Sequence, residues 1–185
     1  MNGDDVINDF DRTVIGNPQP DFIFGFNNQF GYKNFDLSIF FQGSYGNDIW
    51  NGVRVSHEGM ESTYNQFTST LNRWNGEGSS NTMPRAIYAD PNRNNRASTR
   101  WVEDGSYLRI QNISLGYTLP KKWLQKTPIQ NLKIYANLQN VYTWTKYKGY
   151  DPEVGSLYGN TLYNGIDYGR YPSPRIYTFG LNVSF

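Results

Sequence analysis

The sequence contains no cysteine and one histidine, His57. Without thiols, disulfides, zinc–cysteine centres and thiol catalysis are excluded. A lone imidazole with no clustered partners supports neither a nucleophilic triad nor a histidine metal site. An excess of one charge is missing too: 17 basic residues stand against 16 acidic ones. No Lys/Arg block occurs, so nucleic acid is a poor partner. No run approaches the roughly 20 apolar residues of a membrane-crossing helix. The opening MNGDDVINDF is polar and acidic and holds no secretory leader pattern.

Aromatic residues are plentiful, at 17% with 15 Tyr, beside 18 Gly, while the mean hydropathy is −0.69. Tyr and Gly interleaved with Asn and Ser suit strands that meet two different media. The ending RIYTFGLNVSF makes the pattern plain. Tyr177, Phe179, Leu181, Val183 and Phe185 alternate with Thr178, Gly180, Asn182 and Ser184. Four earlier segments share this alternation. FIFGFNNQFGY aligns Phe22, Phe24, Phe26, Phe30 and Tyr32, with Asn28 as an exception. FDLSIFFQGSY aligns Phe35, Leu37, Ile39, Phe41 and Tyr45. SYLRIQNISLGYTL aligns Ile113, Leu115, Tyr117 and Leu119, but Arg109 and Gln111 fall in the same register. LKIYANLQNVYTW aligns Leu132, Ile134, Ala136, Leu138, Tyr142 and Trp144, with Asn140 as the misfit. A strand turns alternate side chains to opposite faces, so each segment has one greasy and one wet face.

The connections alternate in length. Lys33-Asn34 and the stretch 120–131 are short, whereas 46–105 and 146–174 are long. Short turns on one side and long loops on the other characterise an outer-membrane barrel. Tyr45, Tyr142, Trp144 and Tyr177 gather towards the long loops, and Tyr32 and Tyr117 towards the turns. Rings at two levels form the aromatic girdles of such a barrel. The expected fold is therefore all-β: an antiparallel transmembrane sheet of five strands, its greasy face against lipid. Five strands cannot close in lipid, where every backbone polar group needs a partner, so the sheet is expected to be part of a larger barrel. The alternative is a soluble carbohydrate-binding β-sandwich, whose strands alternate because one face packs into a core.

The acidic opening partly matches a calcium loop, which takes oxygen ligands at fixed offsets. With Asn2 at the third position, Asp4, the Val6 carbonyl, Asn8 and Asp11 follow as ligands. The first position would precede Met1, the turn glycine is replaced by Asp5, and the last ligand is Asp11 where Glu is usual. A solvated acidic loop reads the same residues.

DRTVIGNPQPDFIFGF (11–26), FDLSIFFQGSYGNDIWN (35–51), WVEDGSYLRIQNISLGYTLP (101–120), and GYDP with YPSPRIYTFGLNVSF together span essentially the whole chain. They resemble the C-terminal end of SusC/RagA-type TonB-linked outer-membrane proteins. The resemblance implies that 1–185 is the last five or so strands of a barrel of roughly 22 with a plugged lumen. It also implies a SusD-like surface lipoprotein partner, energy from TonB through an N-terminal part not in this chain, and import of glycans or peptides. In that family the acidic stretch usually has a preceding Asp and a Gly at the position of Asp5, so the resemblance implies a possible structural calcium ion and no other cofactor.

In the long loops, Met60, Tyr64, Phe67, Leu71 and Trp74 fall at helical spacing, with Asn75-Gly76 as a stop. This predicts an amphipathic helix that packs on its neighbours or lines a substrate path. Trp50, Trp74, Tyr150 and Tyr158 are candidate sugar-stacking residues, with loop packing as the plainer role. Asp151 and Glu153 flank Pro152, a turn signature with nothing to set them across a glycosidic bond. NGEGSSN lacks the Lys-Ser/Thr of a phosphate loop. No enzyme is expected.

Overall fold

Each of the five alternating segments is a strand, and they pair with their sequence neighbours in the computed structural model, which describes residues 3–185. In chain order the elements are β1 (Phe22–Tyr32), β2 (Phe35–Tyr45), β3 (Asp48–Asn51), α1 (Gly52–Glu58), β4 (Val102–Asp104), β5 (Tyr107–Thr118), α2 (Lys121–Leu124), β6 (Asn131–Thr145), β7 (Ile166–Asp167) and β8 (Ile176–Ser184), with short 3₁₀ turns between them. They divide into two units. One holds Pro20–Gly46, Gly105–Lys146 and Tyr171–Phe185; the other holds the chain up to Gln19 with Asn47–Asp104 and Tyr147–Arg170.

The first unit is an antiparallel sheet in the order β1-β2-β5-β6-β8. Its register lines up the apolar positions in rows across the strands. One row runs Phe30, Leu37, Leu115, Ala136, Phe179, and the next runs Tyr32, Phe35, Tyr117, Ile134, Leu181. A one-residue slip in any pair would send that strand's apolar side chains to the wrong face, so the pattern itself specifies the register.

The misfits noted in β5 and β6 mark bulges. Against β2, pairing passes from Phe41↔Ile110 to Phe40↔Asn112, leaving Gln111 as an extra residue. Against β5, β6 sets Asn140 and Val141 opposite that one residue. Asn140 takes a left-handed conformation (φ 52°), and its amide donates to the Pro174 carbonyl at 2.8 Å. The β5 bulge switches the phase of the strand. Leu108 and Ile110 thereby join the apolar face, and Arg109, expected in line with Ile113, turns to the polar face instead. There its Nε donates to Thr143 Oγ1 at 2.8 Å.

The polar face is knitted by side chains that pass over glycine. Lys133 and Asp36 form a 2.9 Å ion pair, and a Cβ on Gly116 would meet both within 2.6 Å. The Tyr135 ring covers Gly180, where a Cβ would collide with it. In both places a side chain fits only because the strand beneath has none.

The second unit is built on the small sheet β4-β3-β7, antiparallel between β3 and β4 and parallel between β3 and β7. Four of the five buried hydrophobic residues among those described lie here: Ile49, Met60, Trp101 and Tyr147. The fifth, Leu124, belongs to α2 in the connection from β5 to β6. The long connections are thus a folded body with a core, and 120–131 contains one helical turn.

Two sequence expectations do not hold. The stretch 60–74 is not a helix; it contains only a 3₁₀ turn at Thr68–Asn72. Met60 sits at φ 55°, which a right-handed helix cannot contain, and Phe67 is extended. Met60 is buried, whereas Tyr64 and Leu71 are exposed, so the spacing does not trace one packed face. The helix of this region is α1, capped by Asn51, whose side chain accepts from the Arg54 amide at 3.0 Å. Tyr177, expected beside the long loops, pairs with Leu138 and shares the row of Ile113 and Ile39. Strand β8 begins only at Ile176, so its first aromatic lies mid-sheet.

Candidate functional site

The sheet's apolar face is the largest feature a partner could meet. Phe26, Phe30, Tyr177, Phe179 and Leu181 are each 58% exposed or more. A soluble sandwich would bury these residues under a second sheet about 10 Å away. Moving one such side chain from water to an apolar medium is worth roughly 1.5–3 kcal/mol, so the exposed face amounts to a large unsatisfied driving force. Rings cluster at both ends of it. Phe22 stacks on Tyr45 at 5.4 Å, and Tyr142 meets Trp144 edge-on at 4.8 Å. At the opposite end Phe35 lies 4.5 Å from Tyr117, and Lys33 stands over the Tyr32 ring. Both outer strands, β1 and β8, are edges with no further strand beside them among the described residues.

The loop unit holds a buried polar network that sequence reading missed. Arg54 Nη2 pairs with Glu58 Oε2 at 2.8 Å, and Arg54 Nη1 pairs with Glu103 Oε1 at 2.6 Å. The Ser69 hydroxyl donates to Glu58 Oε1, and the Lys148 amide donates to Glu103 Oε2. The Trp101 ring is wholly buried, with the Arg100 guanidinium 4.2 Å and that of Arg54 5.7 Å from its centre. Nearby, the Tyr147 hydroxyl donates to Asp167 Oδ2 at 2.5 Å, and Asp167 Oδ1 accepts from the Gly169 and Arg170 amides. These bonds satisfy charges that would be costly to bury unpaired.

Burial works to raise the Glu58 carboxyl, but the hydrogen bonds from Arg54 and Ser69 outweigh it and hold the group below its ordinary value. Burial and the bond to Asp167 both push the Tyr147 phenol up. Trp101 and Glu103 come from the WVEDGSYLR stretch that marks the family resemblance. The Arg54–Glu58 spacing, four residues apart after Asn51, was the available signal for α1. Gly52, Val53 and Val55 obscure it as poor helix formers.

The four candidate stacking residues are not brought together. Trp50 lies in β3 beside Ile166 and lines a hollow of about 220 Å³ with Ile15, Pro18 and Val102. Trp74 lines a separate cleft of mixed polar and apolar side chains. Tyr150 and Tyr158 are exposed, the latter at φ 51°. His57 uses Nδ1 on the Val53 carbonyl and stacks on Phe67 at 5.0 Å. Asp151 accepts from the Glu153 amide in a tight turn.

Of the calcium-loop residues, Asn2 lies outside the described residues. Asp4 accepts from the Val6 amide, Asn8 from the Phe10 amide and Asp11 from the Asn8 amide. Asp5 takes the left-handed conformation (φ 62°) at the position where the resemblance expects glycine. Among the described residues no group of three or more His, Asp or Glu side chains is close enough to hold a metal. Among the described residues the stretch forms a capped turn.

No family model matches the chain. Over its whole length it is 39% identical to the TonB-dependent receptor P3 of Formosa agariphila and 30% identical to the TonB-dependent receptor SusC of Bacteroides thetaiotaomicron. It spans only 18% and 17% of those two proteins. Its fold matches the RagAB peptide importer in the "closed-closed" state with a TM-score of 0.77 and 26% identity, over 93% of this chain and 18% of that one. With identity along its full length and this fold in common, the chain belongs with the TonB-dependent receptors of the SusC/RagA family.

Proposed function

We propose that this chain forms a stretch of membrane-embedded barrel wall, with its outer loops, in an outer-membrane transporter that imports glycans or peptides. The observation that carries the reading is the exposed apolar face, continuous across five strands and edged by aromatic rings. Lipid is the medium that accepts such a face, and further strands beside β1 and β8 would satisfy the open edges. Family membership supports two partners for the whole protein: TonB as the source of energy, and a SusD-type surface lipoprotein at the loop side.

The test is fractionation of the full-length gene product in its native host. Extraction from the outer membrane only with detergent, together with co-purification of a lipoprotein, is the expected outcome. Recovery in the buffer-soluble fraction would overturn the reading in favour of a carbohydrate-binding module. Growth of a deletion strain on single glycans and on peptides then assigns the cargo class.

A further inference from the structure

The loop unit contains an open cleft of about 720 Å³ lined by Trp74, Arg85 and Arg100 together with Asn81, Asn92 and Asn94. Three features distinguish it from an ordinary surface hollow. It holds two guanidinium groups, and no aspartate or glutamate lines it. Arg85 meets no carboxylate among the described residues; its contact is the Trp74 ring, at 5.9 Å. Arg100 lies against Trp101 and donates to the Glu58 carbonyl. The Glu58 carboxylate is itself already paired with Arg54.

The Glu58 and Asp90 carboxylates both act on Arg100, so the positive charge that the protein leaves unmatched in the cleft is that of Arg85. The remaining polar lining of the cleft is amide and hydroxyl, and Trp74 is 36% exposed. Its place is held by its backbone amide, which donates to the Met83 carbonyl at 3.2 Å.

Each group has a matching ligand chemistry. A guanidinium binds a carboxylate or sulfate through paired N–H donors. Asparagine amides both donate to and accept from ring hydroxyls. An indole face offers an apolar, electron-rich surface for the C–H face of a sugar ring. A neutral glycan would leave the guanidinium charge unmatched. A peptide main chain would find amides but no open strand edge to pair with.

We propose that this cleft binds an anionic saccharide, a sugar ring bearing a carboxylate or a sulfate. Arg85 takes the charge and Trp74 the ring. This names a substrate class for the transport reading and rests on it.

The experiment is calorimetric titration of the full-length receptor, purified in detergent. The probes are tetragalacturonate and its methyl ester, a sulfated galactan tetrasaccharide and its desulfated form, and tetraglutamate. At least one anionic sugar should bind about tenfold more tightly than its neutral counterpart, the difference expected for one charge-assisted hydrogen bond. Arg85→Gln should remove that preference. Trp74→Ala should weaken the charged and neutral sugars alike, and Arg12→Gln, outside the cleft and paired only with exposed Asp9, should change nothing.

Equal binding of charged and neutral sugars would overturn the proposal. So would tighter binding of tetraglutamate, or no sugar binding at millimolar concentration. Arg85 is exposed, so its variant is expected to keep the parent's melting temperature. A receptor that reaches the outer membrane but binds none of these probes sinks the cleft proposal alone. A receptor absent from the outer membrane sinks the transport reading.

Discussion

Arg54 is the residue on which the loop unit depends most. It sits between two carboxylates, and removing it leaves Glu58 and Glu103 buried without their partner. Loss of one member of such a buried set costs about 3–5 kcal/mol. Arg54→Met is expected to raise hydrogen exchange throughout residues 47–104 while leaving β5 and β6 protected. The network also sets two pH limits. The folded Glu58 carboxyl lies below its ordinary value near 4.5. Its contribution is therefore present above that value and lost as pH falls through the folded one. Tyr147 behaves in the opposite sense. Its phenol is raised from an ordinary value near 10, so its contribution is whole below that pH and declines as pH rises beyond it. Tyr147→Phe is expected to abolish the alkaline decline. It should also destabilise the unit at neutral pH by about 1–3 kcal/mol, because Asp167 loses a buried donor. Melting curves from pH 7 to 11 on variant and parent check both statements. Beyond the local Asn51–Arg54–Glu58 spacing, this network was not legible in the sequence, because Arg54, Glu103 and Asp167 lie far apart along the chain and only folding brings them together.

At the scale of the element, strand pairing depends on bulges as well as alternation. Asn140 is held at positive φ within β6, a conformation that glycine takes freely and that β-branched residues resist. Asn140→Gly keeps the conformation and loses only the bond to Pro174, so it should cost less than Asn140→Val, which also strains the backbone by about 1–2 kcal/mol. Thermal denaturation of the full receptor separates them. The two faces of each strand should also answer differently to charge. Leu115→Arg or Leu138→Arg, on the apolar face, should cost roughly 2–4 kcal/mol if these positions lie near the bilayer midplane. Ser114→Arg and Asn137→Arg, on the polar face, should cost much less. Equal sensitivity on both faces would mean that the sheet is covered on both sides, as in a soluble core.

At the scale of the whole molecule, the asymmetry of the connections predicts an orientation. The stretches 46–105 and 146–174 should face outward, with Lys33-Asn34 and 120–131 on the periplasmic side. The chain has no cysteine, so a single cysteine introduced at Asn75 or Lys33 gives an unambiguous label within it. Modification in intact cells at Asn75 and not at Lys33 is expected, and the reverse would overturn the orientation.

The amino-acid sequence by itself determined the five strands, their alternation and their pairing order. The strands and the pairings β1 with β2 and β5 with β6 follow from a two-residue period and short connections, which are local. By contrast, β2 with β5 and β6 with β8 pair across the long connections and follow from the neighbour-to-neighbour order of a barrel. The sequence even held the bulges, as the misfits Gln111 and Asn140, without saying that they switch a strand's phase. What only the tertiary structure decided was the character of the long connections. A 3.6-residue spacing suggested a helix at 60–74, but the positive φ of Met60 and the extended Phe67 rule it out. The folded loop unit is held by charges and a tryptophan drawn from three separate stretches. Such contacts have no period along the chain, so no local pattern announces them.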